Sequence, residues 1–294
     1  MPVIGERPDL NLKSIVFATD FSVCSEYAGL YAVRLARYFS ATLLVAHAYT
    51  PSQAAMEAEV DPRLKSKQRK DLQSNLAKTA FNLASGISIE SVPALLYGDP
   101  HEMIPQLVVE NAPSILVLGT HGGGRIERGL IGSVAERVLR STSWPSLTVG
   151  PKVSSPMAFP FERILYATDF TPAAAHAAIY ALSFAESFGA KIDVLNVIRA
   201  DAVHHPDRLS DLQKHFYGVL DRLVPERARE FSDPRTFVGI GKAHDQIMAH
   251  IRERSVDLLV LGIRKTSHLG MEARRSGAFQ LIVDAKCPVL TITG

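Results

Sequence analysis

The chain is 294 residues long, 47% hydrophobic and 21% charged, and its 32 basic residues against 30 acidic ones leave a formal charge of +2. At about 150 residues per domain this favours two globular domains, each large enough to bury a core without disulfides or structural metals. The near-balanced charge argues against a protein that coats nucleic acid, and the two cysteines, Cys24 and Cys287, form no CxxC pair, which suits a reducing cytosol.

Residues 1–13 hold Glu6, Arg7, Pro8 and Asp9 where a secretory signal would need an apolar core. No apolar run reaches the roughly 20 residues of a membrane span. The richest run is broken by Arg34 and Arg37. A soluble, cytoplasmic protein is the expectation.

In chain order, short apolar runs alternate with helical stripes. Ile15–Ala18, Leu43–Ala46, Ala94–Tyr97, Ile115–Leu118 and Ser146–Val149 are short and largely apolar on both faces, as buried parallel strands are. Between them, helical spacing links Ala28, Tyr31, Leu35 and Phe39, then Leu72, Leu76, Ala80 and Leu83, then Ile104 and Leu107, then Val134 and Val138. Lys65, Lys67, Arg69 and Lys70 precede the second stripe and read as a solvated face.

The same order then returns. Ile15-Val-Phe-Ala-Thr-Asp20-Phe-Ser22 recurs as Ile164-Leu-Tyr-Ala-Thr-Asp169-Phe-Thr171, an offset of 149 that also pairs Ala28, Tyr31, Ala36 and Phe39 with Ala177, Tyr180, Ala185 and Phe188. Further on the offset is 143: Gly98-Asp-Pro-His101 meets Gly241-Lys-Ala-His244, and Ile115–Gly119 meets Leu258–Gly262. The chain is thus a duplicated α/β domain, with the expected division 1–150, a Pro/Ser-rich linker 151–161, and 162–294. In the second half Leu209, Leu212, Phe216, Val219 and Leu223 form the counterpart of the second helix. Strand–helix alternation implies right-handed crossovers and an open, doubly wound parallel sheet in each half.

Ligands of such sheets bind outside the carboxyl ends of the strands, where strand order reverses. Asp20, after the first strand, belongs there. So does the run after the fourth, Gly119-Thr-His-Gly122-Gly-Gly-Arg125-Ile-Glu-Arg128-Gly-Leu-Ile-Gly132-Ser133-Val134. Its glycines let backbone N–H groups approach anionic oxygens, and Gly132 and Ser133 open a helix whose N-terminus favours phosphate. Ser133 can donate its hydroxyl or cap that helix, and Arg125 and Arg128 are candidate phosphate contacts. The run is neither a GxGxxG fingerprint nor a P-loop, since no lysine follows the glycines. An ordinary flexible connection is the bland alternative.

The spacing Gly119-x2-Gly122-x9-Gly132-Ser133, with Asp20 after the first strand, resembles the nucleotide-binding signature of the universal stress protein family, and the whole chain resembles its tandem members. The resemblance implies two Rossmann-like domains of the adenine nucleotide alpha hydrolase-like type, each a five-stranded parallel sheet flanked by helices. It also implies bound ATP in members with this motif. Ala18 and Asp20 would line the adenosine side and Ala48 the base pocket. Gly119, Thr120, His121 and Gly122 would follow the ribose and phosphates, and Gly132, Ser133 and Val134 would hold the phosphates. Mg²⁺ could accompany the nucleotide, although no clear carboxylate set is present for it.

In single-domain relatives of this type the last strand pairs across a dimer. The segments 147–149 and 290–292 are therefore expected to pair within this one chain, with further homodimerisation implied by resemblance alone. The second half departs from the motif: Gly262, Ser276 and Asp169 are kept, but Lys265 replaces Gly122 and Arg275 replaces Gly132. The expectation is a nucleotide in the first domain and weak or no binding in the second.

The leading reading is an adenine-nucleotide-binding stress-response regulator or sensor. Two rivals remain, a slow ATP hydrolase in the same pocket and a ligand-free interaction scaffold. Hydrolysis is disfavoured, because no lysine, paired carboxylates or nucleophile–base pair accompanies the glycines, and no catalytic residue is assigned. His204, His205 and His215 lack a completing ligand set for a metal. His101 and His244 are read as serving helix starts, and Cys24 and Cys287 as inert packing.

Overall fold

The computed structural model describes residues 10–50, 62–120, 131–142, 144–153, 159–200, 209–264 and 277–294, with 62–66 described by backbone alone. The first half runs β1 (Ser14–Ala18), α1 (Val23–Phe39), β2 (Thr42–Tyr49), α2 (Pro62–Ala84), β3 (Ser91–Tyr97), α3 (Pro100–Glu110), β4 (Ser114–Gly119), α4 (Ser133–Ser141) and β5 (Ser146–Val149). The second runs β6 (Arg163–Thr168), α5 (Pro172–Phe188), β7 (Lys191–Ile198), α6 (Leu209–Leu223), a short α7 (Ala228–Phe231), β8 (Arg235–Ile240), α8 (Ala243–Arg254), β9 (Leu258–Ile263), α9 (Gly277–Asp284) and β10 (Val289–Thr293). Every strand anticipated from the apolar runs is present. The basic run at 65–70 lies inside α2 rather than before it, and Lys67, Arg69 and Lys70 are exposed there.

The strands form one sheet of ten, ordered β3-β2-β1-β4-β5-β10-β9-β6-β7-β8. Each half is parallel, and the halves join where β5 and β10 pair antiparallel, with Leu147 opposite Leu290. This is the internal pairing expected of the last strands. It satisfies two edges that would otherwise present open backbone groups. Thr148 Oγ1 donates to the Val289 carbonyl at 2.9 Å and Thr291 Oγ1 to that of Ser146 at 3.2 Å, so side chains reinforce the seam.

Beside it, α1 and α5 meet through Tyr38, Phe39, Phe184 and Phe188, with Phe159 and Phe161 added edge-on. Tyr38 donates to the Ser187 carbonyl at 2.5 Å. On the other face Arg140 of α4 lies 4.6 Å from the ring centre of Phe279 in α9.

One apolar layer, built on Phe17, Tyr31, Leu35 and Leu76, lies under α1, α2 and their counterparts. The other, with Val16, Leu44, Val108 and Val138, lies under α3, α4, α8 and α9. In α4 the buried stripe is Ala135, Val138 and Leu139, while Val134, which helical spacing joins to Val138, is half exposed.

Two glycine positions in each half are dictated by the fold. Gly98 and Gly241 turn the chain into α3 and α8 at φ of +141° and +128°, a region other residues rarely enter. Gly119 and Gly262 lie against the first turns of α1 and α5. A Cβ on Gly119 would come 2.9 Å from the Ser25 nitrogen, and one on Gly262 2.4 Å from that of Ala174.

A cluster of one buried carboxylate and three basic side chains lies in the second half. Asp193, fully buried on β7, accepts from His250 Nε2 at 3.0 Å and from Arg254 Nε at 2.9 Å, with Arg163 Nη1 at 3.7 Å. Burial raises the Asp193 carboxyl, but the bonds from His250 and Arg254 outweigh it and leave the group below its ordinary value. The two repeat offsets place Leu44, Leu107, Asn111 and Ser14 at these four positions in the first half.

Candidate functional site

The strand order 3-2-1-4-5 puts the reversal between β1 and β4, so the crevice opens at Ala18 and Gly119. Leaving β1, the chain turns through Phe21 at φ +62°, a left-handed conformation that a bulky residue seldom takes. Asp20 makes this turn possible: its Oδ1 accepts from the Ser22 N–H at 3.1 Å and the Ser22 hydroxyl at 2.6 Å. Ser22 is in turn the N-cap of α1, accepting from the Ser25 N–H. Asp169, Phe170 and Thr171 repeat this arrangement, which explains why the aspartate stands in both halves. Asp20 therefore positions the cap rather than being it, and its Oδ2 has no partner among the described residues.

The halves differ at that second oxygen. Arg264, the repeat counterpart of His121, lies 3.8 Å from Asp169 Oδ2. Both side chains are mostly exposed, so the pair is worth little as stability, yet it places a cation beside the aspartate. Arg264 carries no signal in the glycine motif itself, where Lys265 and Arg275 are the visible departures.

Across the sheet, Leu118, Ala18, Ala46 and Ala94 stand in one row on β4, β1, β2 and β3, on the face that carries α3 and α4. Ala48 lies two residues further along β2, half buried on the same face. The corresponding row of the second half reads Leu261, Ala167, Leu195, Phe237. Its floor is thus raised by an isobutyl group and a phenyl ring, and Val197 replaces Ala48. Ala46 and Ala94 were not singled out from the sequence, because only the strand register shows that they continue the Ala18 row.

At the other wall, Thr120 is buried and its N–H extends the ladder to the Val149 carbonyl at 3.2 Å. The Thr120 carbonyl accepts from the Gly132 N–H at 2.9 Å, which clasps the start of α4 to the end of β4. Gly132 is the N-cap, in extended conformation, with no side-chain acceptor for the first amides of the helix. Ser133, considered above as a cap, is instead the first helical residue, exposed like Val134. Among the described residues no side chain caps the first amides of α4, which lie at the switch point.

His121, Gly122, Arg125 and Arg128 lie outside the described residues, as do Lys265, Arg275 and Ser276 of the second half and the pair His204 and His205. Gly119 is present, but its close approach is to the α1 backbone, a packing reason that holds equally for Gly262.

The other singled-out residues have local tasks. Asp99 caps α3, accepting from the His101 N–H at 3.3 Å. His244 bonds Asp284 through Nε2 at 3.0 Å and Asp245 through Nδ1 at 3.2 Å. Burial and the nearby Asp257 carboxylate push the Cys287 thiol up to about 12, which leaves it inert as a nucleophile. Cys24 Sγ donates to the Val149 carbonyl at 3.2 Å. Among the described residues no cluster of three or more His, Cys, Asp or Glu could hold a metal ion, and no helix is long and apolar enough to cross a membrane.

Fold and crevice together define a tandem, doubly wound α/β protein, with ligand sites expected at the β1/β4 and β6/β9 switch points. Residues 11–150 and 160–293 each match the universal stress protein family, and the chain belongs to that family. A universal stress protein of Methanocaldococcus jannaschii is 30% identical over 138 residues, covering 47% of this chain and 81% of that protein. A universal stress protein from Archaeoglobus fulgidus shares the fold over 96% of this chain and 98% of its own, with a TM-score of 0.71 at 20% identity. A putative universal stress protein from Pseudomonas aeruginosa covers 97% of this chain and 95% of its own, with a TM-score of 0.59 at 16% identity.

Proposed function

We propose that the first half binds one adenine nucleotide, ATP, and that the protein acts as a stress-response regulator whose second half has given up the ligand. The observation that carries this reading is the start of α4: a glycine N-cap without a side-chain acceptor, held to the end of β4 at the switch point. Such a terminus supplies unshielded N–H groups and the positive end of a helix dipole to a polyphosphate. Ala18 and Ala48 provide a low floor for the adenosine, and the second oxygen of Asp20 is placed to accept from a ribose hydroxyl. In the second half Leu195, Val197 and Phe237 raise the floor, and Arg264 stands at Asp169, where a ligand hydroxyl would sit.

The test is calorimetric titration of the full chain with ATP, with and without Mg²⁺. The expected stoichiometry is one per chain, falling to no measurable binding in Gly132→Arg, which copies the second half's residue. Two sites per chain, or full affinity in Gly132→Arg, refutes the assignment.

A further inference from the structure

A second cavity lies on the opposite face of the sheet, between α1 and α2, and has a volume of about 640 Å³. That is the size of small-molecule sites in general, and the nucleotide crevice does not share it. Its floor is the buried ring of Phe17, beside Phe21 and Tyr27, and Leu83 of α2 closes the far side. Gly29 opens it from the α1 side: a Cβ there would come 3.1 Å from the Phe17 ring and 3.2 Å from Leu83 Cδ2.

The repeat supplies an internal comparison. In the second half Ala178 stands at the position of Gly29 and is packed in the core. Phe170, the counterpart of Phe21, is stacked on Phe216 of α6 with ring centres 5.7 Å apart. In the first half Phe21 turns to His47 instead, at 4.6 Å, and no aromatic ring of α2 is stacked on it. The aromatic surface that the second half satisfies internally is thus left lining a cavity.

The mouth is polar and asymmetric. On α2, Asn75, Lys78 and Asn82 follow one another at three- and four-residue spacing, so they share one side of the helix, and all three line the cavity. Glu26 of α1 lies on the opposite wall. Neither Lys78 nor Glu26 has an ion-pair partner among the described residues.

We infer that this cavity binds a flat, apolar small molecule carrying a single negative charge, an aromatic monocarboxylate or its chemical equivalent. The ring system packs on Phe17, Tyr27 and Leu83. The anionic head meets the Lys78 ammonium, with the Asn75 and Asn82 amides as flanking donors. Glu26 across the mouth repels a second negative charge and so selects the monoanion over a dianion. The site is independent of the nucleotide reading and stands or falls separately from it.

The experiment uses the full chain and three probes: 2-naphthoate, its neutral analogue 2-naphthol, and 2,6-naphthalenedicarboxylate. Titration should give one saturable site for naphthoate, at least tenfold tighter than for either of the others. Lys78→Glu should weaken naphthoate at least tenfold, and Lys78→Met should abolish its advantage over naphthol. Asn82→Trp, an exposed position at the mouth, should block all three without lowering the melting temperature. The inference is overturned if naphthoate does not saturate, if Lys78→Glu binds it unchanged, or if excess ATP displaces it competitively, which would place it in the other crevice.

Discussion

Alanine at Gly262 offers the sharpest test of why this glycine recurs. The added Cβ would lie 2.4 Å from the Ala173 carbonyl carbon and 2.6 Å from its oxygen. Unstrained carbon contacts lie near 3.5–4.0 Å, so the overlap is about 1 Å and falls on backbone that no side-chain rotation can clear. The same substitution at Gly119 meets the Cys24 carbonyl carbon and oxygen at 2.9 and 3.0 Å, a smaller overlap. Overpacking costs about 1–3 kcal/mol, which puts Gly262→Ala near the top of that range and Gly119→Ala near the bottom. At about 2–4 °C per kcal/mol for a chain of this order, Gly262→Ala should melt about 6–12 °C lower.

Thermal and urea unfolding followed by circular dichroism would measure both variants. If the glycine serves only a ligand, Gly119→Ala leaves stability unchanged and costs only affinity, while Gly262→Ala does nothing. A Gly262→Ala protein within about 0.5 kcal/mol of the parent, the range of an inconsequential surface change, would refute the packing argument.

Removing the buried carboxylate by Asp193→Asn strands His250, Arg254 and Arg163, and should cost about 3 kcal/mol, the low end for a broken buried pair, because the two arginines are about a quarter exposed. Importing the whole first-half set, Asp193→Leu with His250→Leu, Arg254→Asn and Arg163→Ser, should recover most of that loss in urea unfolding, since it leaves no stranded charge. Asp193 has its folded pKa below its unfolded one of about 3.9, so its contribution is complete above pH 4 and lost as pH falls through the folded value. Asp193→Asn should accordingly flatten the acid limb of a stability-versus-pH curve. A chain ending at residue 153 bares the edge of β5, and light scattering should find it as a dimer rather than a monomer.

Much of this fold was legible because duplication prints the same signal twice. The strand runs at 15–18 and 164–167 are apolar on both faces, and that pattern has few readings other than a buried parallel strand. The pairing of β5 with β10 followed from the same symmetry. The site was legible in a different degree. Gly132 at a helix start could be read from its neighbours, whereas Ala46 and Ala94 carry no local signal and acquire meaning only through register. Asp20 was visible as a repeated residue, but its bond to Ser22 depends on the left-handed turn at Phe21, which no propensity predicts. Val134 shows the converse error: helical spacing marks which residues share a face with Val138, and burial then depends on where the neighbouring helices end.

Fusing two copies along β5 and β10 has an evolutionary consequence. A symmetric assembly of identical subunits must accept every substitution twice, so an alteration that spoils one crevice spoils both. Once the pair is written into a single gene product, each molecule carries both versions in fixed proportion, and a change at Leu195, Phe237 or Arg264 leaves the Ala46 side untouched. One copy is then free to drift toward a new task while its sibling keeps the old one.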